Sequence, residues 1–355
     1  MSETSIAANA IPCPLGLTMG DPCGIGPEIL ARAAAQGMLA GHVVIGDVGV
    51  MRRASRQLCL TLPVAELSGL DEAGSAPAGS LPVWAPPGLP DGLSDLPMGR
   101  LAARAGAAAA CCIEAAAKAA RAGTLSGVVT APVHKEALAL AGVPYPGHTE
   151  MLQALATSPG RPLVPVRMML ANDELRTVLV TIHMSLRRAI EQLTFEAVLD
   201  TIRIAHRAAA AWGQVSPRIA VAGLNPHAGE GGLFGDEELR IIGPAVEAAA
   251  AEGIAASGPY APDTVFMRAR HAPPAHPGEF DIVVAMTHDH GLIPVKYLGV
   301  EHGVNVTLGL PFVRTSPDHG TAFDIAGQSR ADPSSLLAAI RMARRLAGEG
   351  VFKAA

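Results

Sequence analysis

Aromatic residues are scarce in this chain, and it has no excess of positive charge. Phe, Trp and Tyr make up 3% of the 355 residues, and the formal net charge is -5 at pH 7. Proteins that bind nucleic acids usually show a basic surplus or aromatic side chains on which bases stack. The composition therefore gives no support for nucleic-acid binding.

Long apolar runs are also missing. The strongest candidate for a membrane span, the Ala-rich stretch from Leu101 to Ala122, is interrupted by charged residues such as Arg104 and Glu114. A span needs about 20 predominantly apolar residues, so we predict a packed helix of a soluble protein and no membrane association. Met1 to Ala10 lacks the positive start and apolar run of a secretory signal, and the five cysteines include no CxxC pair. Both absences favour a reducing, cytoplasmic location.

Short apolar runs alternate with Ala-rich helical stretches, which is typical of an α/β protein. A chain of 355 residues is long enough for two domains. The predicted strands are Leu15–Met19, His42–Ile45, Leu81–Trp84, Gly127–Thr130, Arg167–Leu170, Thr177–Thr181, Arg218–Ala222, Ile282–Met286 and Asn305–Leu308. The predicted helices include Leu186–Leu193, Phe195–Trp212, Asp236–Glu252 and Pro333–Ala347. No internal repeat or long linker separates these elements, so we expect interleaved domains.

Several histidines closely follow predicted strands. His183 and His288 come directly after such strands, and His227 lies in the glycine-rich loop Asn225–Gly232. Ligands bind outside the carboxyl ends of strands in open α/β sheets, and imidazole is a common ligand for divalent metals. Three such histidines could therefore converge on one metal. For each of them the alternative is a loop histidine that is hydrogen-bonded to the backbone.

Two further groups of polar residues could bind an anion or move a proton. Lys296, Asn305 and Arg314 lie in apolar or glycine-rich sequence, where a long cation is unfavourable unless it is paired. A phosphate or carboxylate would pair them, and the alternative is an internal ion pair with Asp289 or Asp318.

Asp263 is a candidate base or hydrogen-bond acceptor, and its alternative role is to cap a short helix that starts at Thr264. The pair Gly24 and Gly26 lacks the third glycine of the dinucleotide fingerprint. This pair therefore indicates either a phosphate site at a helix N-terminus or a tight strand–helix turn.

Taken together, these segments resemble the 4-hydroxythreonine-4-phosphate dehydrogenase family, including its threonate/erythronate-4-phosphate and terephthalate-dihydrodiol dehydrogenase branches. The resemblance covers about Leu15 to Ala347. It is carried by Gly20-Asp-Pro-Cys-Gly-Ile-Gly-Pro-Glu, Thr130-Ala-Pro-Val-His-Lys, Gly147-His-Thr-Glu, Thr181-Ile-His, Leu224-Asn-Pro-His-Ala-Gly-Glu-Gly-Gly, Asp263-Thr-Val-Phe, His288-Asp-His-Gly, Lys296-Tyr and the long run Val304–Ala322.

The resemblance implies a two-domain fold like that of isocitrate and isopropylmalate dehydrogenases, with the active site in the interdomain cleft at the interface of a homodimer. We expect one domain to comprise residues 1–145 plus 300–355, with the cofactor loop, and the other residues 146–299, with the metal ligands. The family pattern places one divalent metal (zinc, magnesium or cobalt) on His183, His227 and His288. It places the substrate on His148, Thr149, Lys296, Asn305 and Arg314. NAD is expected at His319, Gly320, Thr321, Ala322 and Asp324, where Asp324 would favour a free ribose hydroxyl over a 2′-phosphate.

The implied reaction is an NAD- and metal-dependent oxidation, with decarboxylation, of a 4-phosphorylated hydroxy acid such as 4-phosphohydroxy-L-threonine or 4-phospho-D-threonate or -erythronate. Asp263 and Lys296 are the candidate catalytic bases. Asp21, Glu28, Ala131 and His290 depart from the pattern of the vitamin B6 enzymes, which favours the threonate or erythronate branch. The alternatives are a terephthalate cis-dihydrodiol dehydrogenase, a non-catalytic ligand-binding relative, and a reductoisomerase or hydrolase that uses the metal without NAD.

Overall fold

The computed structural model describes residues 13–209 and 214–348, which form a mixed sheet surrounded by helices. The strands are β1 (Leu15–Thr18), β2 (His42–Ile45), β3 (Val64–Leu67), β4 (Leu81–Trp84), β5 (Gly127–Thr130), β6 (Arg167–Ala171), β7 (Arg176–Leu179), β8 (Ile219–Ala222), β9 (Ala256–Tyr260), β10 (His271–Ala272), β11 (His276–Pro277), β12 (Ile282–Ala285), β13 (Val304–Leu308) and β14 (Val313–Pro317). The helices are α1 (Gly26–Ala35), α2 (Val48–Gln57), α3 (Ala103–Arg121), α4 (Lys135–Leu140), α5 (His148–Ala156), α6 (Leu186–Glu191), α7 (Phe195–Ala209), α8 (Gly243–Ala251), α9 (Val265–Ala269), α10 (His288–Tyr297) and α11 (Ser334–Gly348).

The main sheet has 12 strands in the order β3-β4-β2-β1-β5-β14-β13-β6-β7-β12-β8-β9. One block of neighbouring strands, β3-β4-β2-β1-β5-β14, is parallel, and so is a second block, β7-β12-β8-β9. The pairs β14–β13, β13–β6 and β6–β7 are antiparallel, so the two parallel blocks run in opposite directions. The sheet is continuous from one block to the other, and the proposed division into two domains stays a prediction.

The core strands are buried along their whole length. Every residue of β1, β2, β5, β8 and β12 is buried, as expected for parallel strands that are covered on both faces. The Ala-rich segment forms α3, in which Gly106 allows unusually close packing: a Cβ there would lie 2.0 Å from the carbonyl oxygen of Ala137 in α4. In the described part of the chain, none of the helices combines the length and apolarity that crossing a bilayer requires.

The predicted strands are confirmed with shifts of at most two residues at their ends, and the predicted helices differ in two places. The last part of the predicted helix Phe195–Trp212 lies outside the described residues, and the predicted helix Asp236–Glu252 is divided into a π-helical turn, Glu238–Ile242, and α8. The structure adds elements that the sequence pattern did not predict, namely α2, α4, α5, α10, β3, β9, β10, β11 and β14. The strand β14 is buried throughout, but it contains the polar residues Arg314, Thr315 and Ser316, so its sequence does not have the apolar pattern of a buried strand. These side chains can be buried because they are hydrogen-bonded or face a cavity.

Candidate active site

A cavity of about 370 Å³ lies where β5, β13 and β14 meet the N-terminus of α5. Because β5 and β14 are parallel and β13 is antiparallel to β14, the ends of β5 and β14 lie beside the start of β13. The residues that line the cavity are Thr130, Pro132, Val133, Lys135, Pro146, Gly147, His148, Thr149, Glu150, His183, Asn305, Arg314, Ser316, Pro317, Asp318, His319 and Gly320. Residues predicted to bind the substrate, the metal and the cofactor therefore meet in one cavity.

Arg314 is a buried cation in this cavity. Its side chain donates hydrogen bonds from Nη1 to Thr307 Oγ1 (3.0 Å), from Nη2 to Thr130 Oγ1 (2.7 Å) and from Nε to Thr130 Oγ1 (3.2 Å). Burial lowers the pKa of Arg314 to about 10, so the guanidinium is protonated at neutral pH. Within the two described ranges no carboxylate pairs with it. An arginine has five N–H donors, so two remain available for an anion.

His148 and Thr149 form the first turn of α5, where backbone N–H groups have no partner within the helix. Burial, reinforced by the nearby charge of Arg314, lowers the pKa of His148 well below its usual value. The imidazole is therefore neutral near pH 7. Its Nε2 atom is buried and has no hydrogen-bond partner among the described residues.

Lys296 is already paired in this structure. Its Nζ lies 2.5 Å from Oδ2 of Asp318, so the alternative of an internal ion pair is confirmed for this lysine. Asp318 and Asn305 both line the cavity, whereas Lys296 reaches it only through its partner.

His183 and His288 lie side by side. Their ring centroids are 5.6 Å apart with an interplanar angle of 47°, and both line a second cavity of about 520 Å³. His183 also lines the first cavity, and its backbone is left-handed, with φ of 50°. Burial lowers the pKa of His183, and the charges of Lys135 and His288 lower it further. A neutral imidazole is the form that binds a metal.

His227 lines a third cavity, of about 360 Å³, together with Asp263 and His290. It begins a run of six residues with positive φ, His227 to Gly232, a strained conformation that is enriched at functional sites. His290 lines both the second and the third cavity and therefore lies between His227 and the His183–His288 pair.

The three histidines fit a divalent metal by the chemistry of their donor atoms. The geometry of one chain is less complete, because the described residues contain no group of three or more His, Cys, Asp or Glu side chains that could hold a metal ion. His183 and His288 are brought together, and His227 is not.

Asp263 shares the third cavity with His227 and does not line the first cavity. The residue at the N-cap of α9 is Thr264, and no side-chain hydrogen bond caps this helix. The alternative role of Asp263 as a helix cap is therefore wrong.

The loop after β14 borders the first cavity through His319 and Gly320. It packs on the first glycine-rich turn: the Ile25 N–H donates to the Thr321 carbonyl (3.1 Å), and a Cβ on Gly24 would lie 3.0 Å from Thr321. The Gly24 N–H also donates to the Asp21 carbonyl (3.0 Å), which closes a tight turn, so the tight-turn alternative accounts for Gly24. Ala322 is left-handed, with φ of 43°.

Asp324 is exposed and does not line the first cavity. Its backbone carbonyl oxygen accepts a hydrogen bond from Gln328 Nε2 (2.6 Å), and its carboxylate forms no ion pair with any of the described residues.

Two residues near this cavity have features that the sequence alone did not single out. Lys135, the first residue of α4, lines the first cavity. Asp21 is 1% exposed, and burial raises the pKa of its carboxyl group even though Cys23 N–H donates to it (2.8 Å). Both occur in motifs that carry the family resemblance, which was the only available signal for either residue.

Comparison with known families gives one match along most of the chain. The family model described as "Pyridoxal phosphate biosynthetic protein PdxA" matches residues 38–343. A 4-hydroxythreonine-4-phosphate dehydrogenase of Beijerinckia indica is 55% identical over 335 residues, 94% of this chain and 95% of the relative. A D-threonate 4-phosphate dehydrogenase of Pectobacterium atrosepticum is 45% identical over 342 residues, 94% of this chain and 99% of the relative.

Solved structures agree with these matches. The crystal structure of 4-hydroxythreonine-4-phosphate dehydrogenase from Klebsiella pneumoniae is similar with a TM-score of 0.84 and 42% identity, covering 96% of this chain and 99% of that one. A terephthalate 1,2-cis-dihydrodiol dehydrogenase from Burkholderia xenovorans is similar with a TM-score of 0.64 and 34% identity, covering 95% and 98%.

Proposed function

The chain belongs to the pyridoxal phosphate biosynthetic protein PdxA family, whose relatives here are dehydrogenases, and we propose that it oxidises a 4-phosphorylated hydroxy acid with NAD and one divalent metal. The preferred substrates are 4-phospho-D-threonate or -erythronate and 4-phosphohydroxy-L-threonine. Decarboxylation of the β-keto acid formed by this oxidation completes the proposed reaction.

The single observation that supports this most strongly is the composition of the first cavity. A buried guanidinium with two free N–H donors lies in the same cavity as a neutral histidine of the predicted metal set and the start of the predicted cofactor loop. A desolvated cation without an anion is unfavourable, so a substrate with a charged tail would stabilise this cavity.

The metal would be held by His183, His227 and His288. When bound, it would act as a Lewis acid that lowers the pKa of the substrate hydroxyl and polarises the neighbouring carbonyl, while NAD would accept the hydride.

The residues of the chain position the substrate. Arg314 and Asn305 bind the phosphate, with Lys296 beside them through its pair with Asp318. The free N–H groups at His148 and Thr149 add donors to the same anion. Fixing the tail near the cofactor loop lowers the entropic barrier to hydride transfer by several kcal/mol.

The proton acceptor is proposed to be Asp263 or Lys296. Asp263 shares a cavity with His227, and Lys296 reaches the first cavity through Asp318, so both border residues of the proposed site.

The proposed active form is a homodimer in the cytoplasm. Large apolar side chains are exposed around the histidine cavities: Leu186 is 63% exposed, Leu233 73% and Phe234 48%. Met184 and Leu186 line the His183–His288 cavity, and the ring of Phe234 lies 6.1 Å from that of His227. Apolar surface of this kind commonly marks an interface between protein chains. A second copy would cover it and close the metal site.

The proposal is tested by following NADH absorbance with NAD, a divalent metal and a panel of acids. The panel contains 4-phosphohydroxy-L-threonine, 4-phospho-D-threonate, 4-phospho-D-erythronate and the cis-dihydrodiol of terephthalate. We expect turnover of at least one phosphorylated acid, and loss of that turnover after chelation. If the protein oxidises none of the four, the catalytic proposal is wrong and the ligand-binding alternative replaces it.

The second candidate function is a terephthalate cis-dihydrodiol dehydrogenase. It is favoured by the 34% identity with the Burkholderia xenovorans enzyme over 95% of this chain. In that case Arg314 would bind a ring carboxylate, and phosphorylation of the substrate would have no effect. Turnover of the dihydrodiol alone would decide for this candidate.

A further inference from the structure

Three lysines lie in the described part of the chain, and two of them have a carboxylate partner. Lys118 lies 2.6 Å from Glu114 on the surface of α3, and Lys296 lies 2.5 Å from Asp318. Lys135 forms no ion pair with any described residue. It is therefore the one lysine of these three whose charge is available to a ligand.

Lys135 lies at the first cavity, so its charge is available to a ligand bound there. It begins α4 and lines the first cavity, with its Cε atom 3.8 Å from the point where a Cβ on Gly147 would lie. Gly147 caps the N-terminus of α5, so Lys135 borders the same turn as His148. Glu150 lines this cavity too, but it forms no ion pair with Lys135 in the described structure.

Lys135 also lines the same cavity as His183, a residue of the predicted metal set. A cation beside a histidine of the predicted metal set repels a bound metal, unless an anion lies between the two. An anionic group at this position would be attracted by both positive charges.

Arg314 is placed differently. It is 3% exposed and is held by Thr130 and Thr307 on the strands at the base of the cavity. The cavity thus has one cation held among the strands and a second beside His183. A substrate with a phosphate at one end and a carboxylate at its reacting end would complement this arrangement.

We infer that Lys135 binds the carboxylate at the reacting end of the substrate, while Arg314 binds the phosphate. This inference rests on the proposed function and adds a specificity residue to it. Because the residue contacts substrate, its removal should weaken the binding of the carboxylate end and leave the phosphate end unaffected.

The experiment uses isothermal titration calorimetry on the metal-loaded protein with two small probes. D-threonate presents the carboxylate without a phosphate, and inorganic phosphate presents only the tail. We expect Lys135→Met to weaken D-threonate binding about 10- to 100-fold, as for loss of a charge-assisted contact, and to change phosphate binding less than twofold. Arg314→Gln should show the opposite pattern.

Two further variants serve as controls. Lys135→Arg keeps the charge and should bind D-threonate within about threefold of wild type, on the usual strength of a retained charge contact. Lys118→Met removes a surface lysine outside the cavity and should change neither the affinity for either probe nor the turnover. Thermal unfolding of each variant verifies that it is folded.

The inference is wrong if Lys135→Met binds both probes like wild type, or if it loses affinity for phosphate as strongly as for D-threonate. The proposed function fails on a different result, namely that wild type oxidises none of the acids in the panel. Calorimetry does not require turnover, so the two failures are separable.

Discussion

Replacing Arg314 with alanine should impair the enzyme most on phosphorylated substrates. Arg314 keeps two N–H donors free after its bonds to Thr130 and Thr307, and it has no carboxylate partner in the described structure. A hydrogen bond to a charged group contributes about 1.5–3 kcal/mol. At 1.4 kcal/mol per factor of ten, loss of one such contact lowers kcat/KM for 4-phospho-D-threonate by about 10- to 150-fold.

The effect on the unphosphorylated acid should be much smaller, because D-threonate presents no phosphate to the guanidinium. The assay is steady-state NADH formation with both acids, for wild type and Arg314→Ala. A ratio of the two kcat/KM values that falls at least tenfold in the variant is the expected result. An equal decline with both acids would refute the assignment of Arg314 to the phosphate.

Stability must be separated from binding in this experiment. Arg314 is 3% exposed, and its removal leaves the hydroxyl groups of Thr130 and Thr307 without that donor, at a cost of about 1–3 kcal/mol. Arg314→Lys keeps a positive charge but loses the forked geometry that binds phosphate through two bonds. We expect it to show an intermediate kcat/KM, and urea unfolding of both variants provides the control.

Three other predictions concern the metal, the cofactor and acid stability. Single replacement by alanine of the predicted ligands His183, His227 and His288 should abolish turnover and weaken metal binding with the fold intact, and full activity of the chelated, metal-free wild type would contradict the metal assignment. Asp324→Ala should narrow a preference for NAD over NADP, because a carboxylate repels a 2′-phosphate, and a wild type that prefers NADP in side-by-side kinetics would count against it. His42 is 5% exposed, and burial lowers its pKa to about 4. Above pH 6.5 this histidine is neutral in both the folded and the unfolded protein, so it does not lower stability. As the pH falls towards 4, the unfolded state binds a proton that the folded state does not, and the free energy of unfolding decreases by about 2 kcal/mol between pH 7 and pH 5. In urea unfolding of His42→Leu, the free energy of unfolding should depend correspondingly less on pH. An unchanged pH dependence would show that His42 is not the source of the acid sensitivity.

The sequence predicted the core strands well because they are apolar along their whole length. It did not predict β14, because Arg314, Thr315 and Ser316 are polar. Their hydrogen-bond partners and the cavity that they face are formed by residues distant in sequence. Nor did it predict that His288 begins α10, because Gly291 and Pro294 inside that helix are poor helix formers.

The candidate site was predicted in part. Family motifs indicated residues that the structure gathers in one cavity, among them His148, Asn305 and Arg314. The pairing of Lys296 with Asp318 remained one of two alternatives, because two residues distant in sequence can be matched only when the fold is known. Lys135 has no local feature that separates it from a solvated surface lysine.

The order of strands in the sheet has a consequence for how the protein is made. β14 inserts between β5 and β13, although β5 leaves the ribosome more than half a chain length earlier. Until residues 313–317 have been synthesised, the side of β5 that β14 will occupy has no strand to pair with. Unpaired strand edges are sites of aggregation, and contacts between distant segments form slowly. The amino-terminal half of the nascent chain therefore depends on its last strands to become a finished sheet, and a chain that is cut before β14 keeps that edge open.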